Sequence, residues 1–140
     1  MYKIKVLTVG KNKDTWLSEG VDEYLTRMSS IAQFEFVYLK DDHQLLRAVE
    51  QEQNVVCLDP LGRSMTSELF SDYLHQRLLE GGSRLTFVIG GAEGLPKVCR
   101  SRYPLLSFSN MTYTHQMVRL LLVEQVYRAF EISKGTGYHK

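Results

Sequence analysis

Apolar runs of strand length, each followed by a helical pattern, constrain this chain more than any other feature. Tyr2 to Val9 precedes Asp14, an expected N-cap, and then Leu17, Val21, Tyr24, Leu25 and Met28 at helical spacing. Phe34 to Leu39 is aromatic and β-branched, and Asp42 opens a short helix carrying Leu45, Leu46 and Val49. Asn54 to Leu58 reads as a strand stopped by the turn Asp59-Pro60-Leu61-Gly62, after which Leu69, Phe70, Tyr73, Leu74 and Leu78 stripe a helix that Gly81-Gly82 ends. Leu85 to Ile89 is the next strand, broken by Gly90-Gly91-Ala92-Glu93-Gly94, with a short helix starting near Pro96. Leu105 to Ser109 is the last strand. From His115 to Ile132 apolar residues occur on nearly every side, so this helix is expected to be buried by the domain, by a partner, or by both. Strands apolar on both faces and alternating with helices imply an α/β domain: a mostly parallel sheet flanked by helices.

With 140 residues, 44% of them hydrophobic and 24% charged, there is enough chain for one core and hardly for two, so a single domain spanning 1–140 is expected. No window approaches the ~18 consecutive apolar residues of a membrane helix, and Met1 to Lys5 leads directly into a strand pattern, which together predict a cytoplasmic protein. Cys57 and Cys99 form no C-x-x-C pair and read as reduced structural thiols, with no metal site indicated. The net charge of +1 does not announce a polyanionic partner, although Lys97, Arg100, Arg102, Arg119, Arg128, Lys134 and Lys140 make the last third locally basic.

Ligands of open α/β sheets sit beyond the carboxyl ends of the strands, which directs attention to the turns after Val9, Leu58, Ile89 and Ser109. The Gly90–Gly94 segment lets backbone amides approach a ligand, because glycine lacks a Cβ and tolerates positive φ. It matches neither G-x-G-x-x-G nor the P-loop, and a glycine turn by itself is more often a plain structural connection. The loop from Phe108 to Gln116 is dense in hydroxyls and amides, with His115 beside them; helix capping by Thr112 or Thr114 is the plainer account. The tail Gly135 to Lys140 combines the Tyr138 ring, the His139 imidazole and the Lys140 ammonium, which suits a splayed base and its phosphate, or else is a frayed terminus. Asp59 is the one acid at a strand end, and a turn-forming role before Pro60 explains it. No Ser/His/Asp order, metal-ligand spacing or paired carboxylates stand out.

Taken together, three features are arranged as in one family: Val88-Ile89-Gly90-Gly91-Ala92-Glu93-Gly94, the Leu106 to His115 loop, and the terminal Tyr138-His139-Lys140. The chain resembles the RlmH-type SPOUT methyltransferases of the ribosomal large subunit. Further likeness lies in Lys5 to Lys11, Glu23-Tyr24-Leu25, Val118-Arg119 and Glu124 to Phe130. The resemblance implies a SPOUT fold with a C-terminal trefoil knot, S-adenosyl-L-methionine as cofactor, and N3-methylation of a pseudouridine in 23S rRNA, on the assembled ribosome. By matched position the cofactor pocket would comprise Leu58, Gly90, Gly91, Phe108, Ser109, Asn110, Met111, Thr112 and Tyr113. His139 and Tyr138 would place the base, Arg119, Arg128 and Lys140 would contact phosphate or carbonyl groups, and His115 is a further candidate in the loop. A homodimer whose interface includes the last helix is also implied. Two departures are visible: Thr114 stands where relatives often carry proline, and the Asp41–Gln53 region is short.

Two other readings stay open at this point. A non-catalytic ribosome- or RNA-binding α/β protein needs only the tail and the basic helix, and a SPOUT enzyme acting on tRNA would share the cofactor site. A phospho-receiver domain is disfavoured, because Val9-Gly10-Lys11 lacks the acidic pair its metal chemistry requires.

Overall fold

The computed structural model describes residues 1–140. Its elements alternate: β1 Tyr2–Val9, α1 Thr15–Arg27, β2 Ala32–Leu39, α2 Asp42–Val49, β3 Val55–Ser64, α3 Ser67–Glu80, β4 Arg84–Ile89, α4 Lys97–Arg102, β5 Leu105–Ser107 and α5 His115–Lys134. The sheet is fully parallel, in the order β2-β1-β4-β3-β5. Period-two side chains divide its two faces. Ile4, Val6, Val56, Leu58, Phe87 and Ile89 pack with α1, α3 and α5, whereas Leu7, Val55, Cys57 and Val88 meet Leu45 and Val49 of α2 and Cys99 of α4. This is the expected helix-covered α/β sheet. The exception is β2, an edge strand that buries only Ala32 completely, so the expectation of two apolar faces fails there.

The turn Asp59-Pro60-Leu61-Gly62 does not end β3, contrary to the sequence reading. Leu106 of β5 pairs first with Leu58 and again with Arg63, so these residues bulge out and the strand then rejoins its neighbour. Gly62 permits the rejoining, because a Cβ there would lie 2.6 Å from the Leu105 carbonyl carbon. Asp14 occupies the N-cap of α1 but makes no side-chain cap bond. Thr66 and Thr114 do cap α3 and α5, accepting the Leu69 and Met117 amides.

The apolar character of α5 is explained largely within one chain. The helix lies between α1 and α3, and Leu122, Val123, Val126, Ala129 and Phe130 are buried against the sheet. Each large buried side chain of this kind contributes about 1.5–3 kcal/mol. Both cysteines are free and buried; the hydrogen bond with Cys99 and burial push the Cys57 thiol up. No helix is long and apolar enough to cross a membrane.

Candidate functional site

The loops following β1, β4 and β5 and the bulge within β3 converge at the carboxyl edge of the sheet and enclose a cleft of about 860 Å³. This lies within the usual range for small-molecule sites, about 300–1,000 Å³. Leu58, Ile89, Leu106, Phe108, Met117 and Val118 supply an apolar wall, and the Gly90–Gly94 loop supplies backbone. Of the proposed pocket residues, Leu58, Gly90, Gly91, Phe108, Ser109, Met111, Thr112 and Tyr113 line the cleft, joined by His115; Asn110 does not.

The two glycines meet different surroundings. A Cβ on Gly90 would collide with the backbone of Gly94, so this glycine serves loop closure rather than close approach of a ligand. A Cβ on Gly91 would lie 3.3 Å from Val9, tight against the end of β1. The loop is cinched by a bridge between Gly91 and Gly94, and Gly94 takes φ +88°, a value only glycine adopts easily.

His115 is the first residue of α5, and Thr114 before it is the N-cap. Threonine therefore does at this position what proline cannot, accepting an amide through its hydroxyl. Burial, and then the positive charges of Arg119 and Lys13, hold the His115 pKa below its ordinary value, which keeps the imidazole neutral at pH 7 and able to accept a proton.

Arg119 was expected to meet phosphate or carbonyl groups of a substrate, and the structure engages it otherwise. The side chain is fully buried and has no carboxylate partner. It donates to Thr8 Oγ1, to the Val9 and Gly10 carbonyls at 2.7 Å each, and to Asn12 Oδ1 at 2.9 Å, with the Tyr38 ring 5.5 Å away. Desolvation lowers its pKa, yet a guanidinium keeps its charge. Arg119 thus lashes α5 to the end of β1. Gln116 reinforces the tie by donating to the Lys11 carbonyl at 3.0 Å and accepting the Lys13 amide. The loop so held contributes Lys13, Asp14 and, at the start of α1, Trp16 to the cleft.

The terminal residues gather elsewhere. Tyr138 donates to Glu124 Oε2 at 2.8 Å and meets the Tyr127 ring edge-on. Arg128 grips the same carboxylate at 2.8 Å and donates through Nη1 to His139 Nδ1 at 3.0 Å. His139 Nε2 lies 2.8 Å from Glu68 at the start of α3. A guanidinium can only donate, so Nδ1 presents its lone pair and Nε2 carries the proton toward Glu68. The tail is therefore docked, not frayed, although Lys140 remains exposed. None of Tyr138, His139, Lys140 and Arg128 lines the cleft. A smaller cavity of about 220 Å³ lies between the two places, sharing Leu106, Ser107, Phe108 and Tyr113 with the cleft and reaching Ser67, next to Glu68.

The sequence reading missed Lys13, Trp16, Arg100, Met117 and Val118 as cleft residues. The only tryptophan of the chain, directly after an acid-bearing turn at a strand end, was the available signal for Trp16. Asp59 proves to be more than a turn former: its carboxylate accepts the Leu61 amide and also pairs with Arg100, each at 2.8 Å. No group of His, Cys, Asp and Glu side chains is placed to hold a metal ion.

Known proteins similar to this chain agree with one another. A family model described as "Predicted SPOUT methyltransferase" matches residues 2–139. A curated relative from Protochlamydia amoebophila, named ribosomal RNA large subunit methyltransferase H, is 47% identical, with the whole of both chains covered. Relatives of the same name from Halothermothrix orenii and Symbiobacterium thermophilum are 41% and 40% identical, with 99% of each chain covered. Among solved structures, one titled for the 2-OH methylation of C/U34 on tRNA superposes with TM-score 0.52 at 10% identity, over 96% of this chain and 99% of the other. TrmJ from Z. mobilis gives 0.54 at 10% identity, over 91% and 69%. At that identity the structural likeness speaks for the fold alone.

Proposed function

The chain belongs to the SPOUT methyltransferase family, and from that premise we propose that it is an S-adenosyl-L-methionine-dependent enzyme that methylates N3 of a pseudouridine in the 23S rRNA of the large ribosomal subunit. The observation that carries this reading is the 47% identity to a curated large-subunit rRNA methyltransferase along the full length of both chains. The trefoil knot is an implication of the same membership.

The cleft fits the proposed cofactor. Its apolar wall suits an adenine, its glycine-rich rim offers backbone groups to a ribose and an amino-acid chain, and its volume suits a ligand of that size. Leu58, Gly90, Gly91, Phe108, Ser109, Met111, Thr112 and Tyr113 would hold it. When bound, it supplies a methyl group on a sulfonium, ready for in-line displacement.

The chain's own residues have three tasks. The first is orientation: Arg119 and Gln116 fix the β1–α1 loop against α5, so the walls of the cleft keep their separation and a nitrogen can be held at near-attack distance. The second is removal of the N3 proton, for which the neutral His115, lining the cleft, is the acceptor. The third is recognition of the base and its phosphate, assigned to Tyr138, His139, Arg128 and Lys140. Because the tail group and the cleft are separate in one chain, with the smaller cavity between them, a base reaching from one to the other would span both. Two copies meeting through α5 form the proposed active unit, which works in the cytoplasm on the assembled ribosome.

The test is methylation of large-subunit particles lacking the modification, read by mass spectrometry of rRNA nucleosides. The expected product is N3-methylpseudouridine in 23S rRNA. Methylation of tRNA instead would replace the substrate assignment, and binding of the particle with no methyl transfer would favour the non-catalytic reading. Sedimentation at micromolar concentration is expected to give twice the 16.2 kDa chain mass.

A further inference from the structure

Asp59 is the most deeply placed acid of the cleft. Its side chain is 2% exposed, and its two oxygens have different partners: Oδ1 accepts the Leu61 amide, and Oδ2 accepts Arg100 Nε. A carboxylate so buried needs donors to replace water, and here it has one from the bulge of β3 and one from α4. Arg100 is thereby held in one orientation by its inner edge.

The outer edge of the same guanidinium is open. Only Nε is engaged by the protein, and neither Nη has a protein acceptor. The side chain is 39% exposed and lines the cleft. Gly94 lies alongside, where an added Cβ would sit 3.3 Å from Nη2, so the glycine keeps that flank of the group clear. What remains is a planar pair of N–H donors, fixed in advance and facing the cleft. This fork matches the two oxygens of a carboxylate, and its fixed position reduces the entropy cost of binding one.

Chemistry then narrows the ligand. Of the parts of the proposed cofactor, the adenine and ribose are neutral and the sulfonium and ammonium are positive; the α-carboxylate is the single anion. We infer that Arg100 binds the α-carboxylate of the donor's amino-acid chain and that Asp59 positions Arg100 to do so. This rests on the reading of the cleft as the methyl-donor site. The Asp59–Arg100 pair is neutral overall, so it selects by geometry more than by a general field, and ligands lacking the carboxylate lose the interaction without meeting repulsion.

The experiment is calorimetric titration of the full-length protein with two thioethers: S-adenosylhomocysteine and its decarboxylated analogue, which keeps the adenosine, the sulfur and the ammonium. Wild-type protein is expected to prefer the carboxylate form by about tenfold or more, in the range of a charge-assisted bidentate pair. Arg100→Gln brings the two ligands within about twofold of each other by weakening the first and leaving the second unchanged. Arg100→Lys restores part of the preference, and Asp59→Asn, which frees the guanidinium, reduces it. Arg102→Gln removes the same charge from the same helix outside the cleft and keeps the preference. Circular dichroism of each variant separates loss of recognition from loss of fold, and Arg100→Lys serves as the measurement should Arg100→Gln not fold.

An unaltered preference in Arg100→Gln, or equal weakening of both ligands, overturns the inference while leaving the donor site standing. Binding of neither ligand by the wild-type protein overturns the donor-site reading and this inference with it.

Discussion

The cleft and the terminal cluster are built by opposite means. Three loops and the β3 bulge form the cleft, and they contribute mostly backbone and apolar surface. The cluster is almost entirely side chains, and all but Glu68 come from α5 or the residues just after it: Glu124 and Arg128 sit one turn apart, and Tyr138 and His139 fold back onto them. A place made from distant backbone cannot be altered without touching the fold, whereas one made from neighbouring side chains can be edited atom by atom. The proposed donor site and the terminal cluster are thus separate places, and the separation can be attacked from either side.

The largest effect is expected at the cleft. Gly91→Arg puts a long side chain where even a Cβ is close to Val9, and titration with S-adenosylmethionine should give no saturable binding. Retained binding would mean the donor sits elsewhere. At the cluster, His139→Ala should lower the methylation rate by at least about 100-fold while donor affinity stays within about twofold. Equal loss of both would join the two regions into one.

Arg119 probes the support beneath the cleft. Arg119→Leu strands Thr8, two carbonyls and Asn12 without their donor, and the urea midpoint should correspond to a loss of about 3 kcal/mol or more. An unchanged midpoint would show that the clamp is dispensable. Thr114→Ala removes the α5 cap and should cost about 1 kcal/mol, with a smaller fall in donor affinity because the same loop lines the cleft.

The smallest effect is a slope. The folded pKa of His115 is depressed, so below 6.5 the unfolded chain takes up the proton before the folded one does. His115 therefore contributes stability above 6.5 that is lost as pH falls toward its folded pKa, and His115→Gln should flatten the stability curve in that window. A steeper curve in the variant would reverse the assigned direction.

Sheet and helices were legible because apolar runs and helical stripes reflect burial directly, and inner strands such as β4 show it on both faces. The bulge in β3 was not, since Asp59-Pro60-Leu61-Gly62 has the composition of a turn whether or not the strand later rejoins a partner more than 40 residues away. Among the site residues, the glycine loop and the Phe108–Tyr113 segment announced themselves through residues that few helices or strands accept. Arg119 could be named but not placed: an arginine destined for backbone carbonyls looks no different in sequence from one destined for a phosphate. Arg100 was seen only as one of several basic residues, because its orientation depends on an acid 41 positions earlier.

The bond between Arg119 and Thr8 spans 111 positions. During synthesis the first strand leaves the ribosome long before the helix that ties down its carboxyl end, so β1 and the loop behind it must wait, incompletely held, for nearly the entire chain to follow. Completion of the cleft is consequently a late event, and a nascent chain truncated before Arg119 lacks the tie that holds it. The enzyme proposed to modify the ribosome can acquire that capacity only after the ribosome making it has reached the end of the message.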